Sequence, residues 1–250
     1  MANLLRAVSD MLRPSALDAF ADGVRIEYKS DDGRVLRVED KAATEKQFLS
    51  SVGRAVLVTL QIATLGSFLA AFCALPLAFL AARNAGLPRW IGAPTRALLT
   101  VLRSIHTLVF GLILVGIVGL GPTAGILAIA LHSLGSYGKL FAETIEAAPR
   151  GLLESGASLG LSRWQTLWLG LRRGFYPQWV ATHLYLWEFN VRDSTVLGLI
   201  GAGGLGLLVT EAVSLFQWDR LATLLIVIVL LVAMFDRSSA LLRAHLTAGR

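Results

Sequence analysis

The feature that most restricts this chain is the placement of its charges. From Ala55 onward, apolar runs approach the length of about 20 residues that a helix needs to cross a bilayer, and the charged residues retreat into short clusters between them. Only 16% of the 250 residues are charged, against about a quarter in an ordinary soluble domain. A water-soluble core cannot absorb so many apolar runs, so the sequence predicts a polytopic membrane protein. The net charge of +6 does not indicate nucleic acid, because the Arg residues sit between the apolar runs, where they act as topology signals facing the cytoplasm. Cys73 is the single cysteine and cannot form an intrachain disulfide. Arg6, Asp10, Arg13, Pro14 and Asp18 interrupt the first 20 residues, and no cleavable leader is expected there.

Five spans are expected, at about 55–82, 95–119, 123–141, 177–199 and 221–235, with a kink at Pro76 in the first. Residues 1–54 read as a polar tail with a short amphipathic helix within 1–20. A small hairpin follows from Val24, turning at Ser30-Asp31-Asp32-Gly33. Arg clusters at 83–96, 150–173 and 237–250 are expected in the cytoplasm, and five spans then put the tail outside. Its nine basic and nine acidic residues do not oppose translocation. The domain reading is a tail over 1–54, a transmembrane domain over 55–242 with a cytoplasmic loop over 143–176, and a basic cytoplasmic tail over 243–250.

That loop contains Glu154-Ser155-Gly156-Ala157-Ser158-Leu159-Gly160. Small residues let a short helix lie close against another surface, and Gly160 ends it. A second amphipathic stretch follows, with Trp164, Leu167, Trp168 and Leu171 at helical spacing. The segment resembles the "EAA" coupling loop of ABC importer permeases. Glu146-Ala147-Ala148 looks similar, but Leu152 stands where the glycine belongs. No GxxxxGK[S/T] loop is present in the sequence, so ATP hydrolysis is assigned to a separate subunit.

Downstream, Tyr185-Leu186-Trp187-Glu188-Phe189-Asn190-Val191-Arg192-Asp193-Ser194-Thr195-Val196-Leu197-Gly198 leads into Gly201-Ala202-Gly203-Gly204-Leu205-Gly206. The string closely resembles the signature of phosphonate-type ABC permeases. Gly119 to Gly125 and Gly138 to Glu143 are also similar to that family, and the resemblance covers about residues 55–242. Two departures stand out: His106-Thr107 replaces the usual Pro-Glu after Arg103-Ser104-Ile105, and Arg173 replaces the first of two prolines that close the loop, while Pro177 keeps the second.

The resemblance implies an all-α fold: a polytopic membrane helical bundle of the methionine-permease-like type I ABC importer class, with about five core transmembrane helices. It implies a multi-pass subunit of the bacterial cytoplasmic (inner) membrane, not itself an enzyme, that imports phosphonate or a related phosphorus oxyanion (phosphate, phosphite). The expected partners are a second copy of the chain, two ATP-binding cassette ATPases, an extracytoplasmic substrate-binding protein and lipid, with no nucleic acid. No cofactor is expected in this chain; ATP and Mg belong to the ATPase. A permease for another small solute such as an amino acid is the alternative, and an ion-coupled secondary transporter lies further off.

Site residues follow on the same terms. Glu154, Ser155, Gly156, Ala157, Gly160 and Pro177 are expected to couple to the ATPase. Arg103, His106, Glu188, Asn190 and Arg192 are pathway candidates, and Gly201, Gly203, Gly204 and Gly206 form a gate or docking rim, or a site of tight packing. Glu188 and Arg192, four apart on one helix, can form an ion pair. Charge within a span faces protein or a watery path. The pair therefore either fixes packing, the reading the spacing favours, or frees Arg192 to guide an oxyanion. No metal ligand cluster or catalytic constellation is apparent in the sequence.

Overall fold

The computed structural model describes residues 11–20, 25–29, 35–147, 150–162, 165–166 and 176–248. A 3-10 turn at Ser15–Phe20 precedes the antiparallel strands β1 (Arg25–Lys29) and β2 (Val35–Asp40). Eight α-helices follow among the described residues: α1 (Lys41–Ala81), α2 (Arg89–Ser104), α3 (Thr107–Val118), α4 (Pro122–Glu146), α5 (Arg150–Ser158), α6 (Tyr176–Leu197), α7 (Leu205–Ser214) and α8 (Trp218–Ala248).

The first and last helices extend beyond the apolar runs that mark them. α1 begins at Lys41, 14 residues before Ala55, because Asp40 caps it: Asp40 Oδ1 accepts from Ala42 N at 3.1 Å. Its first turns are polar, so hydropathy gives no sign of them. Pro76 lies inside α1 without interrupting it. α8 likewise runs on to Ala248, so the sequence-based boundary at 242/243 is not a helix end.

The core forms where α1 crosses α4. Ala63, Ala70, Ala74 and Ala78 of α1 are buried, and a Cβ at Gly66 would lie 2.8 Å from Ile129 Cβ. Small side chains let the helix backbones approach, which is how helices associate where lipid offers no hydrophobic drive.

α1 and α8 are each long and apolar enough to cross a membrane, as are the pairs α2–α3 and α6–α7 taken together, bent by 89° and 54°. α4, at 25 residues, is roughly 37 Å long and lies along the later part of α1, from about Ile62 to its end. Near its start Gly121 N donates to Gly201 O at 3.0 Å, and near its finish Asn84 Nδ2 donates to Ile145 O at 2.7 Å. Among the described residues, length and composition thus give two spans, or four if each bent pair is one, and α4 packs among them as the fifth member of the bundle. The expected unbroken span at 95–119 is corrected: Ile105 and His106 take extended backbone angles and separate α2 from α3.

Candidate functional site

The break between α2 and α3 is where this fold concentrates polar groups. Interrupting a helix frees backbone groups that lipid cannot satisfy, and nearby side chains take them up. His106 Nδ1 caps α3 by accepting from Leu108 N at 3.3 Å. His132 of α4 donates from Nδ1 to the freed carbonyl of Ile105 at 2.7 Å. The two imidazole centroids lie 6.4 Å apart. Thr107 Oγ1 donates to Asp193 Oδ2 at 2.6 Å, fastening the break to α6. The sequence reading gave His132 no role; its partner is a main-chain carbonyl that only the broken helix exposes.

Arg103 and His106 are exposed on either side of the break, and Arg192 is exposed on α6. Arg192 Nη2 lies 3.7 Å from Asp236 Oδ1 of α8, with the two side chains about half exposed (52% and 45%). That partner is 44 positions away and was not signalled by the Glu188 spacing. Glu188 is half-buried, one turn earlier. Asn190 turns the other way. It is 1% exposed; its Oδ1 accepts from Ser133 of α4 at 2.9 Å and its Nδ2 donates to Ser67 of α1 at 2.8 Å. Asn190 therefore ties three helices together and does not line an aqueous path.

The glycine-rich segment ends α6. Gly198–Ala202 is a π turn, and Gly201, Gly203 and Gly204 have φ of 94°, 90° and 72°, a left-handed region in which other residues are strained. Gly206 packs on the backbone of Gly198, so a Cβ would lie 2.7 Å from Gly198 Cα. Leu205 N donates to Thr59 Oγ1 at 2.9 Å, which joins this rim to α1.

At the other end, α5 carries Glu154 and Ser155 exposed and Ala157 within the helix. Gly156 is buried against Thr166, whose side chain occupies the space a Cβ would need. Gly160 has φ 71°, and Leu161 N returns to Gly156 O at 2.9 Å. Ser162 and Gln165 then cap each other: Ser162 N donates to Gln165 Oε1 at 2.9 Å and Gln165 N to Ser162 Oγ at 3.3 Å. This reciprocal pattern is that of a capping box. Trp164, Leu167, Trp168, Leu171 and Arg173 lie outside the described residues. Pro177 lies in α6 as described from Tyr176 onward. Glu146, set aside as a coupling residue, accepts from Arg83 N at 2.8 Å and holds the α1–α2 connection against α4. It belongs with Glu143 to the last turn of α4, so the loop begins after the 143 expected from sequence.

Residues 74–248 match the family described as "Binding-protein-dependent transport system inner membrane component". The chain is 42% identical over 185 residues to a putative phosphite transport system permease protein of Stutzerimonas stutzeri, covering 74% of this chain and 66% of that protein. It is 36% identical over 192 residues to a phosphite transport system permease protein of the same organism, covering 77% and 70%. With a phosphate-import permease protein of Mycolicibacterium smegmatis the identity is 37% over 182 residues, covering 73% of this chain but 34% of that protein. Among solved structures, the inward-facing MetNI methionine ABC transporter gives a TM-score of 0.65 at 18% identity, covering 80% of this chain and 98% of that one. An amino acid ABC transporter with histidines gives 0.64 at 16% identity, covering 81% and 97%. These two likenesses concern the fold alone.

Proposed function

The chain belongs to the family of binding-protein-dependent transport system inner membrane components, and from that premise we propose that it is the membrane-spanning permease of an ATP-driven importer for a phosphorus oxyanion: phosphonate, phosphite or phosphate. One observation carries the choice of cargo. Arg103 and Arg192 are exposed on helices that otherwise carry long apolar runs, and His106 is exposed at the break between α2 and α3. Two guanidinium groups and an imidazole N–H suit an anion with several oxygens, and charge at such depth belongs on a watery path. The half-exposed, loosely paired Arg192 supports its role as an oxyanion guide over a purely structural one. The names of the relatives in Stutzerimonas and Mycolicibacterium point to the same cargo class.

In this reading α5 and the segment after Gly160 dock on an ATPase, which binds ATP and Mg. The opposite end, with Gly201 to Gly206, faces outward and receives a substrate-binding protein. A second copy of the chain completes the pathway, since a bundle of five members is too small to enclose one. The N-terminal segment lies at the outward end, because α1 carries it on the end remote from α5.

The decisive experiment reconstitutes the purified permease with the ATPase and binding protein encoded beside it. Uptake of labelled phosphite, phosphate and methylphosphonate is measured against methionine and histidine. ATP-dependent uptake of a phosphorus oxyanion is expected, in a complex whose mass fits two permease copies. Uptake confined to the amino acids would overturn the cargo, and a mass fitting one copy beside a different permease would overturn the homodimer.

A further inference from the structure

α2 carries Arg89, Arg96 and Arg103 at seven-residue intervals, which places them within about 40° of one another around the helix. The stripe runs from the α5 end of the bundle to the break at His106. α2 lies flat on α4 because α4 presents glycine: a Cβ at Gly135 would stand 2.5 Å from Arg103 N, and one at Gly138 2.5 Å from Leu99 Cδ2. Toward the α5 end, where those glycines stop, the two helices leave a cleft of about 220 Å³. It is lined by Arg83, Arg96, Thr100, Lys139, Glu143 and Glu146.

The lining carries one net positive charge, and its anions are not equally engaged. Glu146 is held by the Arg83 backbone N–H at 2.8 Å. Arg96 uses one nitrogen, Nη1, to grip Ala81 O at 2.8 Å, which fixes the guanidinium in the cleft lining. Lys139 is 3.7 Å from Glu143, with side chains 42% and 54% exposed, a loose pair worth little and readily exchanged. A fixed guanidinium, an exchangeable ammonium and a second Arg at the rim form a trident for a tetrahedral anion. The volume admits such an anion with part of its hydration shell, at roughly 30 Å³ per water.

We propose that this cleft binds a phosphate-type group, as a second station on the α5 side of the Arg103–His106–Arg192 level. The two carboxylates in the lining keep the station weak, Glu143 by competing with the anion for Lys139 and Glu146 by its negative charge. A site that a cargo must leave requires such weakness. The same chemistry is offered by a free phosphorus oxyanion and by the headgroup of an anionic lipid. The free-anion source rests on the cargo proposed above.

The test uses the full-length chain in nanodiscs, with Cys73→Ser and Ala97→Cys carrying an environment-sensitive dye beside the cleft. In phosphatidylcholine nanodiscs, methylphosphonate and phosphite should give a saturable signal. Lys139→Gln should weaken it at least tenfold with an unchanged melting temperature, and Arg96→Gln should abolish it. A signal that appears only when phosphatidylglycerol is included, and that Lys139→Gln again removes, assigns the site to the headgroup. No response to either source, or a response that Lys139→Gln leaves intact, overturns the proposal. Uptake is read separately. Binding without uptake of a phosphorus oxyanion sinks the cargo and leaves the site standing, whereas uptake without binding does the reverse.

Discussion

Thr107 donates a 2.6 Å hydrogen bond to Asp193 across the point where α2 gives way to α3. It is the shortest side-chain link between the break and α6, and it holds a partly buried carboxyl oxygen. Thr107→Val preserves shape and removes the donor, and the expected loss is about 1–3 kcal/mol. Thermal melting of the purified chain should show that loss, with Thr107→Ser close to the parent. An unchanged melting temperature in the valine variant would mean that the break is held by other groups.

Arg192 and Asp236 approach to 3.7 Å with about half of each side chain exposed. An ion pair of that kind contributes about 0–1 kcal/mol. Arg192→Gln should therefore melt within that margin of the parent and still assemble with the ATPase, while uptake falls tenfold or more. If instead the variant is clearly unstable and Asp236→Asn in the same chain restores it, the pair is structural and the pathway role is wrong.

Gly156 and Gly160 make separable forecasts for coupling. Gly160→Val forces a β-branched residue to φ near 71°, costing about 1–2 kcal/mol locally. Gly156→Ala places a methyl where the Thr166 side chain lies. Both should reduce ATP-driven uptake without emptying the membrane of permease. Thr166→Gly should restore part of the activity of Gly156→Ala and none of that of Gly160→Val. Equal rescue of both would show that Thr166 does not occupy the contested space.

Asp18 lies 2.6 Å from Lys41 and 3.1 Å from Arg13. Its hydrogen bond with Lys41 holds the carboxyl below its ordinary pKa, against burial, which pushes it upward. A carboxyl lowered on folding stabilises fully above its unfolded value, about 3.9, and that contribution is lost as the pH falls through the lower folded value. A spin label at Leu17, exposed on the same turn, should stay immobile from neutral pH to about 4 and become mobile only in stronger acid. Lys41→Gln should mobilise it at neutral pH. Mobility insensitive to both changes would show that Asp18 does not fasten the segment.

The passes were legible because a lipid-crossing helix must declare itself in composition, and the cores of α1 and α8 do so. The break at Ile105-His106 was not, since every residue from Thr95 to Gly119 is compatible with a helix except by its partners. His132 and Asp193, which satisfy the break, are distant in sequence. Asn190 illustrates the same limit from the other side. A polar residue in an apolar span signals importance, but whether it faces a path or a neighbouring helix depends on Ser67 and Ser133. The polar start of α1 escaped notice because it is helical for a reason hydropathy does not measure, the cap at Asp40. Gly156 was legible as a small residue, though not the particular side chain, Thr166, that requires it to be small.

At 41 residues, α1 is about 60 Å long, twice the roughly 30 Å of hydrocarbon. Its first turns must therefore stand clear of the bilayer as a post. The head of that post is braced: Arg220 of α8 meets Glu45 at 2.8 Å and lies over Phe48, and Ser15 is hydrogen-bonded to Thr223 at 3.1 Å. One side of the mouth at this end is thus a stiff jamb made of two helices and a strap. α7 is tied into the same jamb, since Leu205 and Ala212 pack with Leu221 and Leu224 of α8 and Leu205 N bonds Thr59 of α1, whereas α3, set off by the 89° bend, stands outside that brace.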